Sequence, residues 1–186
     1  RTLAKSLVRL VLQLLYRVEV DGLEHAKAAM PHAVIAANHA SFLDGLLLGG
    51  HVVVMDRFDP QRALDLITAH RVGWLYAVPT VMSRIAKLPT AATADLSSVH
   101  TMFHMAAPCA EWLKRWWIDK IGSDAVWELY AGTEVQAITT ISGTEWLERP
   151  GSVGRPIVGE IAVFDEAGQP VRAGERGEIF MRSAAP

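Results

Sequence analysis

The run Trp127-Glu128-Leu129-Tyr130-Ala131-Gly132-Thr133-Glu134 contains three side chains of complementary chemistry within five residues, those of Tyr130, Thr133 and Glu134. The ring of Tyr130 can stack on a nucleobase, the hydroxyl of Thr133 can donate to a phosphate, and the carboxylate of Glu134 can hold a magnesium ion. Ala131-Gly132 is a small pair that can turn sharply and let a ligand approach the backbone. This spacing predicts a nucleoside-phosphate site, with an ordinary strand-to-loop turn as the alternative.

A second chemical pair is His39 and Asp44, which follow the apolar run Val34-Ile35-Ala36-Ala37. This spacing lets a strand-to-helix turn bring the carboxylate back to the imidazole. A histidine whose tautomer is fixed by an aspartate can remove a proton from an alcohol, so the pair is a candidate catalytic base and its orienting partner. The alternative is that both residues cap a helix beginning near Phe42, for which Ser41 is a good N-cap residue.

Strand and helix patterns alternate along the rest of the chain, with short loops between them. This alternation predicts an α/β fold with a mostly parallel sheet flanked by helices, followed by a β-rich C-terminal portion. The expected strands are short apolar runs, and the expected helices begin at Asp59-Pro60, at Pro79-Thr80 and near Cys109. The strands are expected at 52–56, 73–78, 99–105, 125–129, 160–164 and 177–181.

Composition narrows the classes of protein to which the chain can belong. Its 186 residues are 51% hydrophobic and 20% charged, which predicts a globular chain, and its net charge of -2 gives no general attraction to nucleic acid. A single cysteine, Cys109, excludes an internal disulfide and suits a reducing compartment, so we expect a cytoplasmic protein. Residues 2–16 predict an amphipathic helix that packs on its own domain or contacts the inner face of the membrane.

The run at 127–134 resembles the tyrosine-threonine-glutamate turn of the adenylate-forming superfamily, which includes the acyl-CoA and acyl-ACP synthetases. The resemblance extends from about residue 46 to residue 186 through Met-Asp-Arg-Phe-Asp-Pro, Val-Pro-Thr, Ala-Ala-Pro and Pro-Gly-Ser-Val-Gly-Arg-Pro. It implies that Tyr130 stacks on the base, Thr133 donates to phosphate and Glu134 binds Mg²⁺. It also implies that the backbone of Ala106-Ala107-Pro108 lies along the adenine. Met105 stands where the family usually has glycine, which predicts a narrower pocket.

This resemblance implies an ATP-dependent reaction with fatty acids. A fatty acid would form an acyl adenylate, AMP would then leave, and the acyl group would become a thioester of CoA or of acyl carrier protein.

Residues 1–48 resemble a different family, the glycerolipid acyltransferases and the lysophospholipid acyltransferases in particular. Asn38, His39, Ser41 and Asp44 match Asn-His-x-Ser-x-x-Asp after an apolar strand. The resemblance implies that His39 activates the hydroxyl of a lysophospholipid against an acyl thioester. The arginine and Phe-Pro-Glu-Gly blocks of that family are not found after Asp44.

The two resemblances predict three portions: an acyltransferase-like portion (1–48), an α/β central portion of an AMP-binding synthetase (49–150) and its β-rich portion (151–186). The glycine- and hydroxyl-rich phosphate loop of the synthetases is not found in the sequence. Because the chain starts at Arg1 and ends at Pro186, before the family's adenylation lysine, we expect a truncated or fused chain that does not complete adenylation alone. A lysophospholipid acyltransferase and a non-catalytic acyl-binding domain are the alternatives.

Three further groups carry weaker signals. His100 and His104 are four residues apart but have no third metal ligand, so we expect core or surface histidines. Cys109 is expected to be inert. The tryptophans of the third helix are expected to pack it on the sheet, with a protein or membrane contact as the alternative; they are Trp112, Trp116 and Trp117.

Overall fold

The computed structural model of the protein describes residues 34–36, 52–55 and 57–183. Residues 2–16, His39 and Asp44 lie outside the described residues. The amphipathic N-terminal helix and the His39–Asp44 pair therefore stay predictions.

The described part of the chain is built on one seven-stranded sheet and one smaller antiparallel sheet. The order in the large sheet is β2-β1-β3-β4-β5-β6-β7, parallel from β2 to β5 and antiparallel from β5 to β7. The last two strands, β8 and β9, pair with each other. The strands are β1 Val34–Ala36, β2 Val52–Val54, β3 Trp74–Ala77, β4 Thr101–His104, β5 Val126–Ala131, β6 Ile138–Ser142, β7 Arg155–Val158, β8 Glu160–Phe164 and β9 Glu178–Arg182.

Four α-helices connect the described strands: α1 Pro60–Ala69, α2 Pro79–Ala86, α3 Glu111–Ile121 and α4 Gly143–Glu148. Two of them begin with side-chain caps. The Asp59 carboxylate accepts from the N–H of Arg62 at the start of α1, and Ser142 and Glu145 form a capping box at the start of α4. None of the helices in residues 57–183 has the length and apolarity that a bilayer crossing requires.

The two faces of the sheet differ because successive side chains on a strand point to opposite sides. On one face the core packs α1, α2 and α3 against the strands. On the other face an aromatic row crosses β3, β4 and β5, with ring centroids 5.6 Å apart for Trp74 and Phe103 and 6.1 Å apart for Phe103 and Trp127. The core residues that are at most 2% exposed include Ile67, Leu75, Met82, Ile85, Met102, Leu113, Trp117 and Val126.

The third helix differs from its prediction in two ways. It begins at Glu111 instead of near Cys109, because Ala110 is still extended (φ -62°, ψ 140°) and acts as the N-cap residue. Only Trp117 of its three tryptophans is fully buried, while Trp112 is 49% exposed with the ammonium of Lys87 5.8 Å from its ring centroid. The expectation that all three pack on the sheet is therefore wrong for Trp112.

Candidate functional site

The two sequence-predicted ligand segments leave the sheet at the same edge. Strands β4 and β5 are parallel neighbours, and His104 pairs in register with Glu128. The segment 105–108 follows β4, and the segment 130–134 completes and follows β5. The carboxyl ends of parallel strands are where open α/β sheets bind ligands. The fold thus brings together two motifs that are more than twenty residues apart in the sequence.

The segment after β4 exposes a backbone with only small side chains above it. Ala106 has a left-handed backbone (φ +72°), and Ala106, Ala107 and Pro108 are all exposed. A left-handed conformation costs a residue with a Cβ atom roughly 1–2 kcal/mol. A flat ligand can approach such a backbone closely, which fits the predicted adenine contact in shape. Met105, the residue beside it, is half-buried.

The end of β5 differs in detail from the predicted turn. Ala131 is still a strand residue paired with Ile138, so Ala131-Gly132 is not the turning pair that we expected. The turn runs from Gly132 to Val135 and is closed by the Val135 N–H, which donates to the Gly132 carbonyl at 3.0 Å. Its left-handed residue is Val135 (φ +57°), a β-branched residue that sequence rules do not place there.

The three predicted ligand side chains are accessible at this edge. Tyr130 is 36% exposed near the end of β5, and Thr133 and Glu134 are exposed within the turn. A hydroxyl that donates to phosphate, a carboxylate that binds Mg²⁺ and an aromatic ring that stacks on a base are the groups that a magnesium-bound nucleotide requires. Their assignment as base stacker, phosphate donor and magnesium ligand stays a prediction.

Within residues 34–36, 52–55 and 57–183, no three His, Cys, Asp or Glu side chains converge as a metal site. Glu134 can therefore supply one carboxylate ligand to a magnesium ion, and the other ligands would come from outside such a cluster. Magnesium is usually held with nucleotides by one or two carboxylates together with phosphate oxygens and water.

Behind the edge lies a buried polar cluster of Lys114, Glu128 and His104, which sequence reasoning missed. The Lys114 Nζ is 2.5 Å from the Glu128 Oε2, and the His104 Nε2 is 3.9 Å from the same oxygen. The side chains of Lys114 and His104 are completely buried, and that of Glu128 is 13% exposed. The Lys114 Nζ also lies 4.8 Å from the ring centroid of Trp146 on α4. A buried lysine thus has both a carboxylate and an aromatic face as partners.

Burial controls the protonation of the groups around this cluster. Burial, with a smaller contribution from the nearby Lys114 ammonium, lowers the pKa of His104 to about 3. Burial also raises the pKa of the Cys109 thiol to about 11. His104 is therefore a neutral core histidine, while His100 is exposed. The protonated thiol of Cys109 supports the expectation that it is inert.

One signal in the sequence could have revealed the cluster. Glu128 alternates with Val126 and Tyr130 on the same face of an apolar strand, so its carboxylate must be buried with a partner or lie at the ligand edge. Lys114 carries no comparable signal, because a lysine in an amphipathic helix usually lies on the solvent face.

The comparison with known families identifies the family of the chain. The sequence matches the family described as AMP-binding enzyme over residues 4–185. The chain belongs to this family. The match to AMP-binding enzymes includes residues 4–48, the part with the acyltransferase-like motif. The division of the chain at residues 48 and 150 stays a prediction.

Curated AMP-binding relatives and a solved structure agree with the assignment. The chain is 32% identical over 160 residues to a feruloyl-CoA synthase of an Amycolatopsis species, covering 85% of this chain and 32% of the relative. It is 30% identical over 151 residues to the medium/long-chain-fatty-acid–CoA ligase FadD8 of Mycobacterium tuberculosis, covering 77% of this chain and 25% of the relative. The chain spans about a third or less of the length of these relatives.

The crystal structure of ATP-bound MatB from Rhodopseudomonas palustris has a TM-score of 0.66 and 25% identity, covering 84% of this chain and 32% of that chain. The predicted α/β fold, a mostly parallel sheet flanked by helices, is confirmed.

Proposed function

We propose that the chain forms part of the adenylate-binding site of an acid–thiol ligase of the AMP-binding family. The observation that carries this proposal is the common edge at which Ala106–Pro108 and Tyr130–Glu134 follow neighbouring parallel strands. The names of the relatives support the reaction class, since both are enzymes that join an acid to CoA.

In this proposal the chain's residues position the reactants and stabilise charge. The exposed backbone at Ala106-Ala107-Pro108 and the ring of Tyr130 hold the adenine between them. Thr133 donates to the α-phosphate, and Glu134 contributes a carboxylate to bound Mg²⁺.

The proposed reaction has two steps. A carboxylate oxygen of the acid bonds to the α-phosphorus as the bond to pyrophosphate breaks. The CoA or carrier-protein thiol then bonds to the acyl carbon as AMP leaves. Positioning and electrostatic stabilisation are the main contributions that a protein makes to such a displacement.

We propose a fatty acid as the acid substrate. FadD8 supports this class, whereas the feruloyl-CoA synthase is named for an aromatic acid. The two classes can be separated by titrating the chain with stable adenylate mimics that carry either a medium alkyl chain or a hydroxycinnamoyl group. Tighter binding of the alkyl mimic supports the fatty-acid proposal, and tighter binding of the aromatic mimic overturns it.

Calorimetric titration with a stable acyl-adenylate mimic tests the nucleotide site directly. With Mg²⁺ present, we expect binding by the wild-type chain that weakens roughly 10-fold or more with Thr133→Ala, since a hydrogen bond to a charged group contributes about 1.5–3 kcal/mol. Binding should also weaken with Glu134→Ala, which removes the proposed Mg²⁺ ligand. Glu166→Ala is the control, because Glu166 is an exposed carboxylate between β8 and β9. A folded chain that does not bind, or variants that bind as tightly as the wild type, would exclude the proposed site.

The family match over residues 4–48 does not favour the acyltransferase alternative. His39 and Asp44 therefore enter no step of the proposed reaction.

A further inference from the structure

We propose that the buried Lys114–Glu128 ion pair is a positioning pair, which fixes the distance between the Ala106–Pro108 segment and the end of β5. This inference rests on the proposed adenylate site and assigns a role to two residues behind it. Lys114 lies outside the motifs identified from the sequence, and Glu128 lies in the run 127–134 but has no ligand role assigned there.

The two partners of the ion pair lie on the elements next to the two ligand segments. Lys114 lies in the first turn of α3, six residues after Pro108. Glu128 lies on β5, two residues before Tyr130 and on the same face of the strand. The 2.5 Å contact between Nζ and Oε2 therefore joins the helix that follows one ligand segment to the strand that leads into the other.

The pair is largely removed from solvent. Removing a lysine and a carboxylate from water is costly, and apolar residues of similar volume often stabilise a core at least as well. A charged hydrogen bond does, however, fix the direction and distance between two elements more narrowly than apolar packing. Trp146 on α4 covers the ammonium at 4.8 Å, which restricts its movement further. A pair with this geometry is suited to setting the register of α3 against β5.

The helix also provides a matched control. Glu111 and Arg115 form a second ion pair on α3, with 2.8 Å between the Arg115 Nη2 and the Glu111 Oε1. Their side chains are 59% and 45% exposed, and both residues lie on α3. The Arg115 guanidinium also lies 5.5 Å from the ring centroid of Trp146 on α4. The control therefore changes Glu111, whose ion-pair partner Arg115 is on the same helix. Exposed pairs of this kind contribute little to stability.

The first test compares affinity for a stable acyl-adenylate mimic with melting temperature in four variants. They are Lys114→Met, Glu128→Gln, the double variant Lys114→Met/Glu128→Leu, and the control Glu111→Gln. We expect the first two to lose roughly 10- to 100-fold in affinity, the range that a small misplacement of a binding group produces, and the control to stay within about twofold.

The double variant separates positioning from stability. Its apolar side chains remove the buried charges and should restore the melting temperature, but the directional contact stays absent. We expect affinity to remain reduced in this folded variant. Affinity that returns together with the melting temperature would show a merely structural role and overturn the inference.

The pH dependence of the Glu128→Gln variant provides a second readout. Burial lowers the pKa of Lys114, and the Glu128 carboxylate opposes this effect. Three neutral groups among the described residues also lie near the ammonium: the Trp146 ring, the His104 imidazole and the Cys109 thiol. The positively charged guanidinium of Arg115 lies over the same Trp146 ring, 5.5 Å from its centroid. Without the carboxylate the largest effect that opposes burial is lost, so the pKa of Lys114 should be lower in Glu128→Gln than in the wild type. The neutral amine can then accept the amide introduced at position 128 as a neighbour.

We therefore expect the affinity loss of Glu128→Gln relative to the wild type to be smaller at high pH than at low pH, while that of Lys114→Met is independent of pH. An affinity loss of Glu128→Gln that is equal at all pH values would contradict the inference, because the unpaired charge of Lys114 would then not disturb the position of α3.

The proposed function and the inference fail differently. If the folded wild-type chain does not bind the mimic, both are overturned. If it binds and the Lys114 and Glu128 variants bind equally well, only the positioning role is overturned.

Discussion

His104 and Glu128 face each other across the parallel strands β4 and β5, with 3.9 Å between the imidazole Nε2 and the carboxylate Oε2. Neither ring nitrogen of His104 has a hydrogen-bond partner among the described residues. Because burial lowers the pKa of His104 to about 3, the contact joins a neutral ring to a carboxylate and is not an ion pair at neutral pH. The histidine thus makes the fold sensitive to acid.

We expect the free energy of unfolding to fall as the pH is lowered from about 6.5 towards 3. The unfolded chain takes up a proton at His104 near pH 6.5, while the folded chain does not until about pH 3. The contribution of this group is therefore fully present above pH 6.5, and it is lost by up to about 1.4 kcal/mol per pH unit below it. Urea unfolding at a series of pH values measures this slope.

The variant His104→Leu should have a shallower slope over the same range. The control His100→Leu removes an exposed histidine and should leave the slope unchanged. Equal slopes for His104→Leu and the wild type would show that another group causes the acid sensitivity.

Gly154→Ala should destabilise the chain more than Gly151→Ala. Both glycines are left-handed, with φ near +86°, so both substitutions carry a strain of about 1 kcal/mol. A Cβ on Gly154 would lie 1.8 Å from the Thr140 carbonyl oxygen, whereas a Cβ on Gly151 has no atom within 4 Å. The clash must separate β6 from the loop before β7. We expect a difference of about 2 kcal/mol or more between the two variants in urea unfolding; equal costs would contradict it.

Ala106→Val should cost more stability than Ala107→Val. Ala106 has φ +72°, where a β-branched side chain is strongly disfavoured, while Ala107 is exposed and does not have a positive φ. We expect an additional loss of roughly 1–2 kcal/mol for the Ala106 variant in thermal or urea unfolding. If the two valine variants have equal stability, the left-handed conformation of Ala106 is not required for the fold.

The sequence predicted the sheet better than the turns. Strands such as 73–78 alternate with helices that begin at Pro60 and Pro79. This alternation follows from the periodicity of apolar residues, which can be read directly from the sequence. The turn after β5 depends instead on pairing with β6, which extends the strand through Ala131 and moves the left-handed residue to Val135. Such tertiary pairing has no local signal.

The candidate site was predictable in its exposed part only. The chemistry of Tyr130 and Glu134 is visible in the sequence because both lie in one short run. The contact between Lys114 and Glu128 depends on the packing of α3 against β5, which brings together residues fourteen positions apart. An amphipathic pattern assigns a lysine to solvent, so it could not indicate a buried pair.

The 186-residue chain should catalyse little or no fatty-acid-dependent exchange of labelled pyrophosphate into ATP. Exchange needs the pyrophosphate leaving group to be stabilised, and the sequence has no recognisable glycine- and hydroxyl-rich loop for that purpose. Each missing donor of this kind typically costs about 3–4 kcal/mol, a loss of roughly 100- to 1,000-fold in rate. The signal should therefore not exceed that of the Glu134→Ala variant. Binding of the acyl-adenylate mimic by the same sample is the positive control, because it does not need pyrophosphate to be held. Exchange clearly above the variant would show that another segment, such as Gly49-Gly50, stabilises the leaving group.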